Sequence, residues 1–333
     1  MTALENELDA IAAETGFSGV VRVDRGGEPR IERAYGDAHR AFGIPNAVDT
    51  RFALASGTKG LTALTVASLV EDGVLALDTS ARSLLGDDLP LVGDDVTVEH
   101  LLAHRSGIGD YLDEDTDVDL DAYLMPVPVH ELATTEEYLA VLAGHAPKFA
   151  PGERFSYSNS GYVVLALLAE RASGVAFHEL VLERVCRPAG MVDTAFLRSD
   201  ELPDRVALGY LEVNGAWRTN VFHLPVRGSG DGGIYSTAAD LRALWVALFA
   251  GTIVPLDRVA EMTRPHSEDG ARRYGLGFWL STSGDLVLLE GMDAGVSFRS
   301  VHEPRSDLTH TVLSNTTEGA WPLARLLVER LGG

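Results

Sequence analysis

The chain has 333 residues, 46% of them hydrophobic, and its 49 acidic against 27 basic side chains give a formal net charge of −22. That length exceeds one typical domain, so two closely packed subdomains or one large one are expected around a sizeable core. The charge repels phosphate backbones and argues against a nucleic-acid partner; no apolar run is long enough to span a bilayer, so no membrane partner is expected either.

In chain order, "MTALENELDAIAAETGFSG" carries acidic residues and no apolar signal-peptide core, so it reads as an amphipathic helix and gives a cytoplasmic expectation. "SGVVRVDR" and "RIERAYGD" read as two strands around the turn residues Gly26, Gly27 and Pro29. "FALASGTKGLTALTVASLVEDG", from Phe52 to Gly73, sets Leu61, Leu64, Ala67 and Val70 at helical spacing before a terminal glycine. It predicts a helix beginning near Ser56. From about Asp78 to Arg227 the chain is helix-rich, with Pro- and Gly-containing loops. "YGLGFWL", "DLVLLEG", "GVSFRSVH" and "LTHTVLSN" then read as consecutive antiparallel strands, closed by a helix from about Gly319 to Leu331. With strands only at the two ends, the fold class is α+β: an antiparallel sheet flanked by terminal helices (1–77 and 228–333), with an inserted all-helical domain (78–227).

Chemistry concentrates at two places. Ser56 and Lys59, three apart at a helix start, share a face, so the amine can fold back toward the hydroxyl. A serine hydroxyl is a weak nucleophile that needs an adjacent base, and burial or nearby positive charge lowers a lysine pKa toward that role. The unpaired N–H groups of the helix start suit the oxyanion of an acyl-transfer intermediate. The second place is "FAPGERFSYSNSGYVVLALLAERASG", which puts Tyr157, Ser158 and Asn159 just before a buried helix. A phenol near a cationic lysine can have its pKa lowered and move a proton, and an asparagine amide both donates and accepts.

Other constellations are weaker. The acidic run Asp113 to Tyr123 places no glycine and no glutamate where a calcium loop needs them, and reads as a solvated loop. His100 and His104 are four apart but lack the glutamate of a His-Glu-x-x-His site. No serine sits in Gly-x-Ser-x-Gly, and the glycines of "RGSGDGGIYS" fit no phosphate-binding spacing; they let a loop pass near the cleft. The lone Cys186 reads as a buried structural thiol.

Ser56-x-x-Lys59 followed by Tyr157-Ser158-Asn159 resembles the serine hydrolase superfamily of class C β-lactamases, penicillin-binding proteins, β-lactamase-like carboxylesterases and D-aminopeptidases. "LLAHRSGIGDY", "PGERFSYSNSGY", "RPAGMVDTAF" and "GDGGIYSTAADL" match further family segments in the same order. The resemblance implies a site in the cleft between sheet and helical domain. It makes Ser56 the acylated nucleophile with its N–H as one oxyanion donor, Lys59 the base partner, and Tyr157 a proton relay that protonates the leaving group. Asn159 would hold the substrate's carbonyl side, and His104 would be structural. No metal and no organic cofactor is implied.

The family's third element, Lys-Thr-Gly or His-x-Gly, is absent. Asp293-Ala294-Gly295 stands in its slot, either facing substrate with altered chemistry or forming a turn while Arg299 or another loop fills the role. The expected activity is hydrolysis of small esters or amides. A β-lactamase, D-aminopeptidase, DD-carboxypeptidase or acyltransferase is the alternative, and a non-hydrolytic β-lactam-binding or regulatory protein is the alternative of another class. Oligomeric state is left open. A substrate-facing Asp293 would disfavour the carboxylate of penicillins by about 1 kcal/mol at 4 Å in water, and about 4 at an effective dielectric near 20.

Overall fold

The computed structural model describes residues 2–332 apart from 117, 118, 271 and 284. Helix α1 (Thr2–Thr15) leads into strands β1 (Gly19–Arg25) and β2 (Glu28–Tyr35). Helix α2 (Thr58–Glu71) and helix α3 (Asn159–Ser173) are the two long apolar helices before the sheet resumes. A hairpin, β3 (Tyr210–Val213) and β4 (Ala216–Thr219), precedes α4 (Ala238–Phe249). Then come β5 (Ser267–Asp269), β6 (Arg272–Tyr274), β7 (Trp279–Leu280), β8 (Val287–Asp293), β9 (Val296–Glu303), β10 (Leu308–Ser314) and α5 (Ala320–Leu331).

The strands join as expected into one antiparallel sheet of eight, in the order β2-β1-β10-β9-β8-β7-β6-β5. The two ends of the chain meet where Gly19 of β1 pairs with Ser314 of β10 and Val21 with Val312. Because side chains alternate along a strand, neighbouring residues feed two different layers. Val21, Val23 and Val312 pack beneath the terminal helices with Leu4, Leu8, Leu323 and Leu327, while Val20 and Leu313 face the larger core around α2, α3 and α4. The sheet is therefore covered on both faces.

Three local expectations are revised. "YGLGFWL" is not one strand: Tyr274 ends β6 and Trp279 begins β7. The turn between them leans on α2, where a Cβ on Gly277 (φ +93°) would come 2.2 Å from the Ala63 methyl. Only glycine fits that approach. Within the stretch expected to be wholly helical, the β3–β4 hairpin docks on the sheet side, the Tyr210 N–H donating to the Asn315 carbonyl at 2.9 Å. The helical segment expected to begin near Ser56 does so, but as a 3₁₀ turn at Ala55–Gly57 that becomes α-helix only from Thr58.

Cys186 is buried, and burial pushes its thiol up to about 12, as a structural thiol requires. Asp113 and Asp115 of the acidic run bind the Lys148 amine at 2.6 and 2.7 Å, and the run's residues 117 and 118 lie outside the described ones. Among the described residues no single helix is long and apolar enough to cross a membrane; the apolar α3 and the helical stretch after it meet at 89°.

Candidate active site

The segment before α2 is pinned to the loop that follows Arg227. Leu54 N–H donates to the Ile234 carbonyl at 2.9 Å, and the Thr58 hydroxyl bonds Ala55 and Ile234. Ala55 is held there at φ +44°, a left-handed conformation uncommon for alanine. Such strain collects where a side chain must be presented, and Ser56 follows directly, half-buried at the wall of an open cleft of about 550 Å³.

Lys59, one turn later, is 1% exposed. Its amine donates to Ser56 Oγ at 2.9 Å, Asn159 Oδ1 at 2.8 Å and the Asp231 carbonyl at 2.8 Å. All three donor positions of the ammonium are thus filled. Burial lowers its pKa, against the charges of Asp231, Glu114, Asp110 and Asp293, which favour the protonated form. Gly230 passes against α3, where a Cβ would come 2.1 Å from the Tyr162 carbonyl, and the Thr62 hydroxyl of α2 donates to the Gly230 carbonyl at 2.7 Å.

The start of α3 supplies the next groups. The Ser158 side chain accepts from Gly161 N–H as an N-cap, and Asp110 accepts from the N–H groups of Asn159 and Ser160 at 2.7 and 3.0 Å. Asn159 is 3% exposed and saturated. Its oxygen accepts a hydrogen bond from the Lys59 amine, and its Nδ2 donates to the Leu112 carbonyl and to Glu114 Oε1, the latter at 3.0 Å. In this state it orients Lys59 and leaves nothing free for a substrate carbonyl.

Tyr157 has the Ser56 hydroxyl as hydrogen-bond partner and the Lys59 ammonium 4.8 Å from its ring centre. Burial pushes its phenol well above 10, the opposite of the lowering the sequence suggested, so Tyr157 is a neutral donor here. His104 packs 4.3 Å from the Tyr157 ring and accepts the Ser158 N–H on Nδ1. Burial and Lys59 hold it neutral. It is a positioning residue, and His100 closes a capping box with Thr97.

The strand that crosses the nucleophile is β8, and the residue that meets it is Gly291. A Cβ there would lie 2.4 Å from the Leu54 carbonyl and 2.6 Å from the Ser56 nitrogen. The two-residue turn Ala294-Gly295 makes Asp293 and Val296 a hydrogen-bonded pair, so by ladder alternation the Met292 N–H points away from β9. No β7 residue pairs β8 at that level. Met292 N–H and Ser56 N–H are then the two donors available to an oxyanion.

Asp293-Ala294-Gly295 therefore does not occupy the slot against Ser56. Asp293 lines an adjoining chamber of about 60 Å³ with Asp231, Tyr111 and Tyr138. Its Oδ1 accepts from Ala294 N–H at 3.0 Å, and burial, with the charges of Asp231 and Glu114, leaves its pKa pushed up to about 7. Ala294 and Gly295 are turn residues bound to Asn220 and Thr317. Arg299, the alternative for the role, is paired with Glu290 at 2.6 Å.

Ser56, Lys59, Tyr157 and Asn159 thus converge, while Gly291, Met292 and Glu114 were not singled out from the sequence. A glycine inside a strand was the signal for Gly291. Glu114 gave none, sitting in a run that reads as solvated loop.

A family model described as Beta-lactamase matches residues 4–330. Esterase EstB of Burkholderia gladioli is 36% identical over 214 residues, which is 62% of this chain and 54% of that protein. The putative penicillin-binding protein PbpX of Bacillus subtilis (strain 168) is 27% identical over 272 residues, 80% of this chain and 63% of that one. The chain spans about half the length of the curated relatives it matches. Among solved structures, a penicillin binding protein from Bacillus halodurans is 35% identical at a TM-score of 0.91, covering 97% of this chain and 99% of that one. With a family model matched over residues 4–330 and a solved fold of 35% identity superposing over nearly the whole length, the chain belongs to the Beta-lactamase family.

Proposed function

We propose that the protein is a serine hydrolase that cleaves small esters or amides through an acyl-enzyme on Ser56. The observation that carries this is the 2.9 Å contact between the buried Lys59 amine and Ser56 Oγ. In its neutral form, which burial favours, Lys59 takes the serine proton as Oγ attacks the substrate carbonyl. The oxyanion is held by the N–H groups of Ser56 and Met292. Tyr157, a neutral phenol, gives its proton to the leaving group and recovers one from Lys59. None of these steps uses a metal or an organic cofactor. The esterase relative supports ester substrates, and the penicillin-binding relatives keep β-lactams as the competing class.

The carboxylates Glu114, Asp115 and Glu290 on the cleft wall, with Asp231 and Asp293 in the adjoining chamber, favour neutral or amine-bearing substrates over those carrying a carboxylate, although an Asp293 pKa of about 7 weakens its share of the repulsion near neutral pH. The test compares kcat/KM for a neutral nitrophenyl ester and a chromogenic cephalosporin. The ester is expected to be preferred by at least about tenfold, the equivalent of 1.4 kcal/mol. Ser56→Ala should abolish both activities and the covalent adduct seen by intact-mass spectrometry. Residual turnover by that variant would overturn the mechanism. A stoichiometric adduct with no turnover would identify a binding protein instead.

A further inference from the structure

The acyl-enzyme reading leaves the second half of the reaction without a base. Once Ser56 is acylated, water must lose a proton as it attacks. The Lys59 amine is enclosed by Ser56 Oγ, Asn159 Oδ1 and the Asp231 carbonyl and has no position open to the cleft. Tyr157 rests as a neutral phenol, a proton donor and not a base. The base must then stand on the cleft wall that carries Ser56.

Three carboxylates line that wall: Glu114, Asp115 and Glu290. Glu290 is engaged by Arg272 and by Arg299. Asp115 holds Lys148 at 2.7 Å and the Ser156 hydroxyl at 2.7 Å, and these partners keep its carboxyl below the usual range. Glu114 has no salt-bridge partner among the described residues. One of its oxygens is fixed by Asn159 Nδ2 at 3.0 Å, which ties it through Asn159 to Lys59 and Ser56, and the other is left to the cleft.

We propose that Glu114 is the general base of deacylation, accepting a proton from the water that attacks the Ser56 acyl-enzyme. In this step a water O–H bond breaks, its proton goes to Glu114, and the water oxygen bonds the acyl carbon. Collapse of the tetrahedral intermediate breaks the C–Oγ bond. Oγ takes the Tyr157 proton, Tyr157 is resupplied from Glu114 through cleft water, and the product acid ionises. The surroundings make it a stronger base than a free carboxylate: partial withdrawal from water, Asp110 and Asp115 raise the Glu114 pKa, while Lys59 and the Asn159 hydrogen bond oppose them. Tyr157, Arg154, Arg272 and Glu290 are the other ionisable groups lining this part of the cleft, and the charge of Asp293 reaches Glu114 from the adjoining chamber.

This inference rests on the acyl-enzyme reading, and the experiment separates the two. Glu114→Gln retains a side-chain oxygen that can accept from Asn159 and removes only the basicity. With a nitrophenyl ester in stopped flow, the variant is expected to give a burst of one nitrophenol per enzyme at a rate within about threefold of wild type. Steady-state turnover should then fall by about 10²-fold or more, lose the acidic limb of its pH profile, and leave an accumulated adduct on Ser56 in the intact mass. Unchanged steady-state turnover would overturn the proposal. So would loss of the burst, which would make Glu114 a positioning residue for Asn159. If wild-type enzyme hydrolyses the ester and no adduct can be trapped on Ser56, the acyl-enzyme reading falls first, and the role of Glu114 with it.

Discussion

Asp293 shows how a single residue changes meaning once its neighbours are known. In sequence it stands in the slot of the third motif against Ser56; in the structure it ends β8, shares a chamber with Asp231, and has its pKa pushed from 3.8 up to about 7. The folded state therefore holds the Asp293 proton more tightly than the unfolded chain does. The stability this contributes is complete below about pH 4 and is lost as pH rises through 7. Asn, which mimics the neutral acid, escapes that loss. Asp293→Asn is expected to melt about 2–4 °C above wild type at pH 8, with a smaller gap at pH 5. Equal gaps at the two values would mean that Asp293 ionises freely in the folded protein. Ser56, Lys59, Tyr157 and Asn159 were legible because they lie in two short local patterns. Glu114 and the true surroundings of Asp293 were not, because they depend on contacts between segments far apart in the chain.

At the scale of elements, α2 and β8 are registered on each other through one missing side chain. Gly291 lets the strand backbone reach the Ser56 turn, and the atoms a Cβ would strike, the Leu54 carbonyl and the Ser56 and Gly57 nitrogens, are main chain and cannot swing aside. Gly291→Ala must push the turn or the strand by several tenths of an ångström, displacing the proposed oxyanion donors with it. A loss of at least about 10²-fold in kcat is expected, because misplacement on that scale removes transition-state contacts. Far-UV circular dichroism should stay unchanged, and retained activity would mean that the two elements separate without cost to catalysis. The strands and terminal helices were readable from alternation and periodicity. The break at Gly277 and the β3–β4 hairpin were missed because the first depends on close packing against α2 and the second on docking to a distant part of the chain.

For the whole molecule, the net charge of −22 sets long-range self-repulsion against local ion pairs such as Arg184 with Asp72, or Arg171 with Asp88 and Glu136. Surface pairs contribute about 0–1 kcal/mol each and are weakened by the same salt that relieves the repulsion. With nearly twice as many acidic as basic groups, repulsion should dominate. The melting temperature is expected to rise between about 10 and 150 mM sodium chloride, and a fall would show that the ion pairs win. The pairing of β1 with β10 carries a different consequence, one of time. Val20 lies opposite Leu313, so the first strand leaves the ribosome almost three hundred residues before its partner in the sheet. At roughly 5–20 residues per second that is a delay of about 15–60 s. Through that interval one edge of β1 is unpaired and its valines lack their helical cover, which makes the nascent N-terminal hairpin the segment most in need of a chaperone.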